Sequence, residues 1–181
     1  PLAGRRPLGL RGIGRAAALR FATSGASVLA VGRNQTALTE LAGELESAGG
    51  QAAVLAVDVT DPSAPERIVA AALDRFGGLT TMVNAAGIIG SGSVESTTDA
   101  EWDAMMDINA RAPFRLMRAA APALIASRGT VVNVSSVTGL RSFPGFLAYC
   151  VSKAAIDQLT RCAAFELAPK GVLLNAVNPG V

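Results

Sequence analysis

The sequence predicts an α/β fold in which helices cover both faces of a doubly wound parallel sheet. Short apolar runs alternate with stretches whose apolar residues recur at helical spacing, and this alternation continues along most of the chain. Strands interleaved with helices imply right-handed crossovers and therefore a parallel sheet. Half of the 181 residues are hydrophobic but only 4% are aromatic, which suits branched strands and Ala-rich helices. We expect a single domain over residues 1–181.

Each predicted strand ends at a turn that leads into a helix. The run 27–31 reads as a strand that ends at Gly32-Arg33-Asn34. Three leucines then recur at helical spacing until Gly49 and Gly50 stop the helix. The later predicted elements are a strand at 52–57, a helix at about 68–76, a strand at 79–83, a helical stretch at about 99–127 with a break at 109–113, a strand at 129–134, a helix at 146–168 and a strand at 172–177.

The two ends of the sequence depart from this pattern. Residues 1–6 carry Pro1, Gly4 and two adjacent arginines, which do not suit a buried central strand. The sequence stops just after Asn178-Pro179-Gly180. We therefore expect a sheet without a normal first strand or further C-terminal elements, in a domain that is incomplete at both ends.

A candidate proton-transfer pair is formed by Tyr149 and Lys153, which are four residues apart in a predicted helix. This spacing places both side chains on one helix face. A free phenol with a pKa of about 10 is a poor base at neutral pH, but a neighbouring cation favours the phenolate and lowers that pKa. Tyr149 could then exchange a proton with an alcohol or carbonyl oxygen. The alternative is a chance pairing on a solvated helix face.

Together with Ser136 and Asn109 upstream, this pair resembles the short-chain dehydrogenase/reductase family, in particular its 3-oxoacyl-(acyl-carrier-protein) reductase branch. Members of that family have a Rossmann fold and move hydride between a nicotinamide cofactor and an alcohol or ketone. The resemblance implies that Tyr149 is the acid/base, that Lys153 tunes it and binds the nicotinamide ribose, that Ser136 orients the substrate oxygen and that Asn109 anchors a relay water. Without the resemblance, Ser136 is a turn hydroxyl and Asn109 a polar residue that interrupts a helix.

A glycine-rich turn precedes the first Ala-rich helix, with the sequence Gly9-Leu10-Arg11-Gly12-Ile13-Gly14. Phosphates bind at the amino end of the first helix in such folds, and glycines let the backbone approach them closely. The family pattern is Thr-Gly-x-x-x-Gly-x-Gly, and here Pro7 and Leu8 replace the Thr and the first Gly. We predict that Gly9, Arg11, Gly12, Ile13 and Gly14 bind the cofactor, against an ordinary turn as the alternative.

The charge after the second strand of the family pattern favours NADP over NAD. A dehydrogenase that uses NAD places an acid there, whereas a 2'-phosphate needs cations. Gly32 stands in place of the acid, Arg33 follows it, and Arg11 adds a second cation; both arginines could instead be ordinary surface charge. The resemblance adds further cofactor contacts at Asp58, Val59, Asn84, Ala86, Gly87, Pro179 and Gly180.

Composition excludes several other kinds of site. The sequence has no His, and its only cysteines are Cys150 and Cys162, which excludes a Cys/His zinc site and a Ser-His-Asp triad. On one helix these cysteines would lie about 18 Å apart, too far for a disulfide. No signal peptide or bilayer-spanning run is visible, so we expect a cytoplasmic protein that does not bind a membrane. A net charge of +2 with scattered arginines makes nucleic acid an unfavoured partner.

The combined interpretation is an NADP-preferring oxidoreductase acting on a small-molecule alcohol or ketone. The alternative is a non-catalytic fragment or pseudoenzyme of the same family with impaired cofactor binding. By resemblance we expect a homo-oligomer that packs through the helix after Asn109 and the helix that carries Tyr149. Five apolar residues precede or begin that helix: Leu140, Phe143, Pro144, Phe146 and Leu147. We expect them to form an apolar wall beside the site, and the alternative is that they pack at the start of the helix.

Overall fold

A computed structural model describes residues 12–180, in which helices and strands alternate. The elements are α1 Ile13–Ala22, β1 Ser27–Gly32, α2 Gln35–Ser47, β2 Gln51–Ala56, α3 Ala64–Phe76, β3 Thr81–Asn84, α4 Asp99–Met106, α5 Ala112–Ser127, β4 Thr130–Val134, α6 Leu147–Leu167 and β5 Leu173–Val177. Short 3-10 helices at Val137–Gly139 and Ala168–Lys170 flank α6. Gly9, Arg11 and the expectation for residues 1–6 lie outside the described residues.

All strand pairings within residues 12–180 are parallel, as predicted, but the strands form two sheets. β1 pairs with β2 in the register Ser27↔Gln51. β4 lies between β3 and β5, with Thr130 opposite both Thr81 and Leu173. Because carboxyl ends of parallel strands meet at one edge, the residues that follow β3, β4 and β5 are brought together.

Two hydrophobic clusters hold the helices against these sheets. Leu38, Leu41 and Leu45 of α2 are 0%, 3% and 0% exposed and pack with β1 and β2 residues. The helical spacing of these leucines thus identified the buried face of α2, and burial of each contributes roughly 1.5–3 kcal/mol. The larger cluster joins α3 and α5 to the three-stranded sheet through side chains such as Leu116 and Val131.

A groove of about 520 Å³ separates the two sheets within the described part of the chain. Its walls come from 28–31 of β1 and 81–84 of β3, and α1 lines it through residues that include Gly14. Val59 and Ala86 also line this groove. Four positions predicted to contact a cofactor, which are Gly14, Val59, Asn84 and Ala86, are among its lining residues, most of which are apolar.

The helical stretch from Asp99 to Ser127 is continuous, so the predicted break at 109–113 is wrong. A π-helical turn, Asp107–Arg111, joins α4 to α5 instead. Such turns insert an extra residue into a helix and occur frequently at functional sites. Here the turn contains Asn109, whose exposed fraction is only 2%.

Across residues 12–180, none of the helices combines the length and apolar character that a bilayer span requires. In this same part of the chain, no three His, Cys, Asp or Glu side chains gather in a way that could hold a metal ion.

Candidate active site

The first turns of α6 bring Tyr149 and Lys153 together in a buried setting. Their exposed fractions are 9% and 5%, and the Lys153 Nζ lies 5.7 Å from the centroid of the Tyr149 ring. Lys153 Nζ donates a hydrogen bond of 2.9 Å to the carbonyl oxygen of Val134, the last residue of β4. The ammonium is therefore held between the aromatic ring and the carboxyl end of the sheet.

Burial changes the proton affinity of this ammonium group. Desolvation lowers the pKa of Lys153 from 10.5 to about 8, and the negative charge of Asp157, one turn further along α6, raises it in opposition. With a pKa of about 8, Lys153 still carries its proton at neutral pH.

Asn109 connects the loop after β3 to α6. Its Oδ1 accepts a hydrogen bond from the Ile88 N–H at 2.9 Å, and its Nδ2 donates to the Ile88 carbonyl and to Ser152 Oγ, both at 2.9 Å. A Cβ added to Gly87 would lie 3.2 Å from Asn109 Oδ1 and 3.7 Å from Lys153 Nζ. Asn109, Gly87 and Lys153 thus converge, and the backbone at Gly87 passes close to the ammonium.

Ser136 follows β4 and has an exposed fraction of 8%. Its Oγ accepts a hydrogen bond of 3.2 Å from the N–H of Thr138. The Ser136 hydroxyl therefore stabilises a turn, as the sequence predicts without the resemblance. The preceding residue, Ser135, donates from Oγ to the carbonyl of Lys153 at 3.2 Å. This contact joins the segment that carries Ser136 to the helix turn that carries Lys153.

The amino end of α1 fits a phosphate group. Gly12 caps this ten-residue helix with φ 100°, a conformation that favours glycine, and it provides no side-chain cap. The first N–H groups of a helix have no intrahelical acceptor, and this end carries the positive end of the helix dipole. Ile13 and Gly14 stand in this first turn, so backbone donors are available for the pyrophosphate of a dinucleotide.

Arg33 and Asp58 form an ion pair of 3.5 Å between the ends of β1 and β2, and both side chains are exposed. Burial raises the pKa of Asp58, but hydrogen bonds from the N–H and hydroxyl of Thr60, together with Arg33, lower it below its ordinary value. Through its bonds to Thr60, Asp58 also stabilises the turn after β2. The Arg33 guanidinium stands at the predicted ribose position with its charge partly compensated.

The remaining predicted cofactor residues lie at the same edge of the sheets. Pro179 accepts a hydrogen bond of 3.0 Å from the N–H of Val137, next to Ser136. A Cβ added to Gly180 would meet open space. Val59 and Ala86 line the groove between the two sheets.

Asn84 belongs to a buried polar network that the sequence analysis missed. Its Nδ2 donates to Asn133 Oδ1 at 2.7 Å, and Asn133 Nδ2 donates to Thr160 Oγ1 at 2.8 Å. Asn133 is completely buried, and its position between the apolar residues of β4 was the available signal. This network ties β3, β4 and α6 together below the candidate site.

Two further polar residues were missed. Asp157 has an exposed fraction of 4%, and Asn178 donates to both of its carboxylate oxygens at 3.0–3.1 Å. The position of Asp157, four residues after Lys153, was a signal that could have identified it.

Comparisons with known proteins identify the family. The family described as short chain dehydrogenase matches residues 9–181. The 2,5-dichloro-2,5-cyclohexadiene-1,4-diol dehydrogenase LinX of Sphingobium indicum is 38% identical over 173 residues, which span 95% of this chain and 69% of that enzyme. The 3-oxoacyl-(acyl-carrier-protein) reductase FabG of Thermotoga maritima is 34% identical over 170 residues, or 93% of this chain and 69% of the reductase.

A solved structure extends the similarity to three dimensions. The crystal structure of NAD+-bound xylitol dehydrogenase matches with a TM-score of 0.91 and 30% identity, covering 95% of this chain and 67% of that one. The predicted fold class, the resemblance and the class of enzyme are thereby confirmed. The chain belongs to the short-chain dehydrogenase/reductase family of oxidoreductases, whose members use nicotinamide cofactors.

Proposed function

We propose that this protein is an NADP-preferring oxidoreductase that transfers hydride between the cofactor and a small alcohol or ketone, with Tyr149 as the acid/base. The observation that carries the proposal is the Lys153 ammonium, held 5.7 Å from the Tyr149 ring centroid and bonded to the Val134 carbonyl. That contact puts a cation beside the only tyrosine of the sequence, at the edge of the sheet where ligands bind in α/β folds.

The chemistry divides between the cofactor and the side chains. The nicotinamide ring supplies or accepts the hydride when the cofactor is bound. In the reductive direction Tyr149 gives its proton to the substrate oxygen, while Ser136 orients that oxygen by a hydrogen bond. Lys153 stabilises the phenolate that remains and binds the nicotinamide ribose. Asn109 fixes the loop at Ile88 against α6, since its Nδ2 donates to the Ile88 carbonyl and to Ser152 Oγ.

Exposed apolar side chains support a substrate with an apolar portion. Leu140 and Phe143, which follow Ser136 in the chain, are 65% and 42% exposed. Phe146 instead packs against the cluster that contains Tyr149, as expected for packing at the start of a helix. We infer that Leu140 and Phe143 form the apolar wall near the reacting oxygen.

Replacement of Tyr149 by Phe tests the assignment. General acid–base catalysis contributes about 100- to 10,000-fold, so Tyr149→Phe is expected to lower kcat by at least about 100-fold for any ketone of a test panel. NADPH affinity, measured by fluorescence titration, is expected to stay within about twofold because the Lys153 ammonium remains. Retention of turnover in this variant would refute the role of Tyr149. Failure of the unaltered protein to bind NADPH would favour the non-catalytic alternative.

The preference for NADP is supported by Arg33, which follows Gly32 where an acid would bind the ribose of NAD. The ion pair with Asp58 weakens this argument, because it compensates part of the Arg33 charge. Parallel titrations with NADPH and NADH test the preference. We expect Arg33→Ala to weaken NADPH binding about tenfold and NADH binding less than twofold, by loss of a charged contact to phosphate. Equal affinity of the unaltered protein for both cofactors would overturn the preference.

We also propose a homo-oligomer that packs through α5 and α6. Val151, Ala154 and Cys162 lie exposed along α6, and Phe165 on the same helix is 84% exposed, which supports packing of this face against a second copy. Phe114 of α5 is 43% exposed. Sedimentation analysis is expected to show an oligomer that Phe165→Glu weakens, and a monomer at all concentrations would refute it.

Two further parts of the proposal concern the domain and its location. We propose a single cofactor-binding domain over residues 1–181. A cytoplasmic location is supported by Cys150 and Cys162, which are both free thiols. Detection of the tagged protein in an exported fraction would contradict that location.

A further inference from the structure

Asp157 is a buried carboxylate for which the proposed mechanism has no use. Its exposed fraction is 4%, and within residues 12–180 its hydrogen-bond partner is Asn178, with no cation at ion-pair distance. Taking a carboxylate out of water costs several kcal/mol unless other groups compensate its charge. A neutral side chain would avoid this cost, so the position of Asp157 requires a physical reason.

Asn178 connects this carboxylate to the backbone of Ser136. Its Nδ2 donates to the two oxygens of Asp157 at 3.1 and 3.0 Å and to the carbonyl of Ser136 at 3.0 Å. The Val137 N–H donates to the Pro179 carbonyl at 3.0 Å, just beyond Asn178. One amide therefore spans α6, the end of β5 and the segment that carries the substrate-orienting hydroxyl.

The turn after Ser136 packs directly against Asp157. A Cβ added to Gly139 would lie 2.3 Å from Asp157 Oδ2 and 2.8 Å from the Lys153 carbonyl oxygen. Backbone without a side chain is required for this approach, since real Cβ contacts are not that short. The carboxylate is consequently enclosed by Gly139 on one side and Asn178 on the other, which keeps it in place.

The charge of Asp157 also acts on Lys153, one helical turn before it. Among residues 12–180, the groups that face the Lys153 ammonium from other elements are uncharged: the Val134 carbonyl of β4, Gly87 of the loop after β3, and Asn109 of the π-helical turn. On α6 itself, the Tyr149 ring lies beside the ammonium, and Asp157 stands one turn further along and acts on it through its charge. Asp157 is thus the negative charge that opposes the loss of the Lys153 proton on burial.

We propose that Asp157 is a positioning residue of the active site, whose carboxylate fixes Ser136 through Asn178 and compensates the buried charge of Lys153. This inference rests on the proposed function, because Ser136 and Lys153 have their roles there. Asp157 touches neither substrate nor cofactor in this assignment. It has two separate effects, a hydrogen-bonding effect on Ser136 through Asn178 and an electrostatic effect on Lys153. Mutations can separate these two effects.

Asp157→Asn removes the charge and keeps the shape of the side chain. The matched control is Glu166→Gln, which removes one charge from an exposed position of the same helix. NMR titration of the Lys153 side chain measures the electrostatic effect of Asp157 without any turnover. The Lys153 signal is simple to assign because the sequence has only two lysines. We expect the Lys153 titration midpoint to fall by about one pH unit in Asp157→Asn and to stay unchanged in Glu166→Gln. Equal titration midpoints in all three proteins would refute the electrostatic effect of Asp157 on Lys153.

Asn178→Ala breaks the hydrogen bonds and leaves the carboxylate. We expect this variant to raise KM for the ketone about tenfold, with the Lys153 midpoint unchanged and kcat affected less. A purely structural role would lower Tm in both variants and move neither the midpoint nor the ratio of KM to kcat. Turnover that is normal in Asp157→Asn and Asn178→Ala would refute the inference and leave the proposed function intact. Absence of turnover in the unaltered protein would instead refute the proposed function. The NMR titration would still test the electrostatic effect of Asp157 on Lys153.

Discussion

The buried ammonium of Lys153 should weaken the fold, and the size of this effect follows from its pKa. In an unfolded chain the group titrates at 10.5, and in the folded protein at about 8. This difference corresponds to about 3 kcal/mol of cost for carrying the charge in the folded state. Because the folded-state pKa is the lower one, the unfolded chain binds more protons between pH 8 and 10.5, and stability contributed by this group rises with pH across that window.

Lys153→Met removes the charge together with its cost. The variant also loses the hydrogen bond to the Val134 carbonyl, which is worth about 1 kcal/mol. We therefore expect the variant to be about 2 kcal/mol more stable than the unaltered protein at pH 6.5, and catalytically inactive. As the pH rises to 10.5, where the folded protein no longer carries the charge, this difference should change by about 3 kcal/mol and leave the variant about 1 kcal/mol less stable.

Urea unfolding followed by circular dichroism at four pH values between 6.5 and 10.5 measures this difference directly. Lys170→Met is the matched control, because Lys170 is exposed and is the only other lysine of the sequence. Its stability should follow that of the unaltered protein at every pH. If the curves of Lys153→Met and the unaltered protein run parallel from pH 6.5 to 10.5, the ammonium is not desolvated and the reasoning is wrong.

Two other predictions concern backbone packing and helix capping. Gly139→Ala should destabilise the protein by about 1–3 kcal/mol, because the new Cβ would meet Asp157 Oδ2 at 2.3 Å. Gly43→Ala, on the exposed side of α2 where a Cβ meets nothing within 4 Å, should stabilise it by about 0.5–1 kcal/mol. Thermal unfolding compares the two, and a similar change in both would contradict the contact at Gly139. Thr98→Ala removes the capping box that Thr98 forms with Glu101 at the start of α4 and should cost about 1 kcal/mol, which an unchanged urea midpoint would disprove.

The features predicted correctly from the sequence depend on neighbours along the chain. Leu38, Leu41 and Leu45 are buried because residues three and four apart share a helix face, whatever packs against that face. The same rule placed Tyr149 and Lys153 together on α6. Alternation of strands and helices also sufficed for a parallel sheet with flanking helices, since crossover connections leave few other arrangements.

The features that were missed depend on residues far apart in the chain. The hydrogen bond between Lys153 and Val134 joins β4 to α6, and the bonds of Asn178 join the end of β5 to Asp157 and Ser136. The π-helical turn at Asn109 occurs where that side chain binds both backbone groups of Ile88. The sequence indicated an interruption at this point but not its π-helical form, which involves a contact with a distant loop.

The pairing of Tyr149 with Lys153 was therefore readable from the sequence, whereas the electrostatics around it required the tertiary structure. A tyrosine and a lysine four residues apart already specify which groups meet. The proton affinity of that lysine depends on how much water surrounds it and on which charges oppose the desolvation, and both are set by elements that pack from elsewhere in the chain. Spacing is local, but burial is a property of the whole fold.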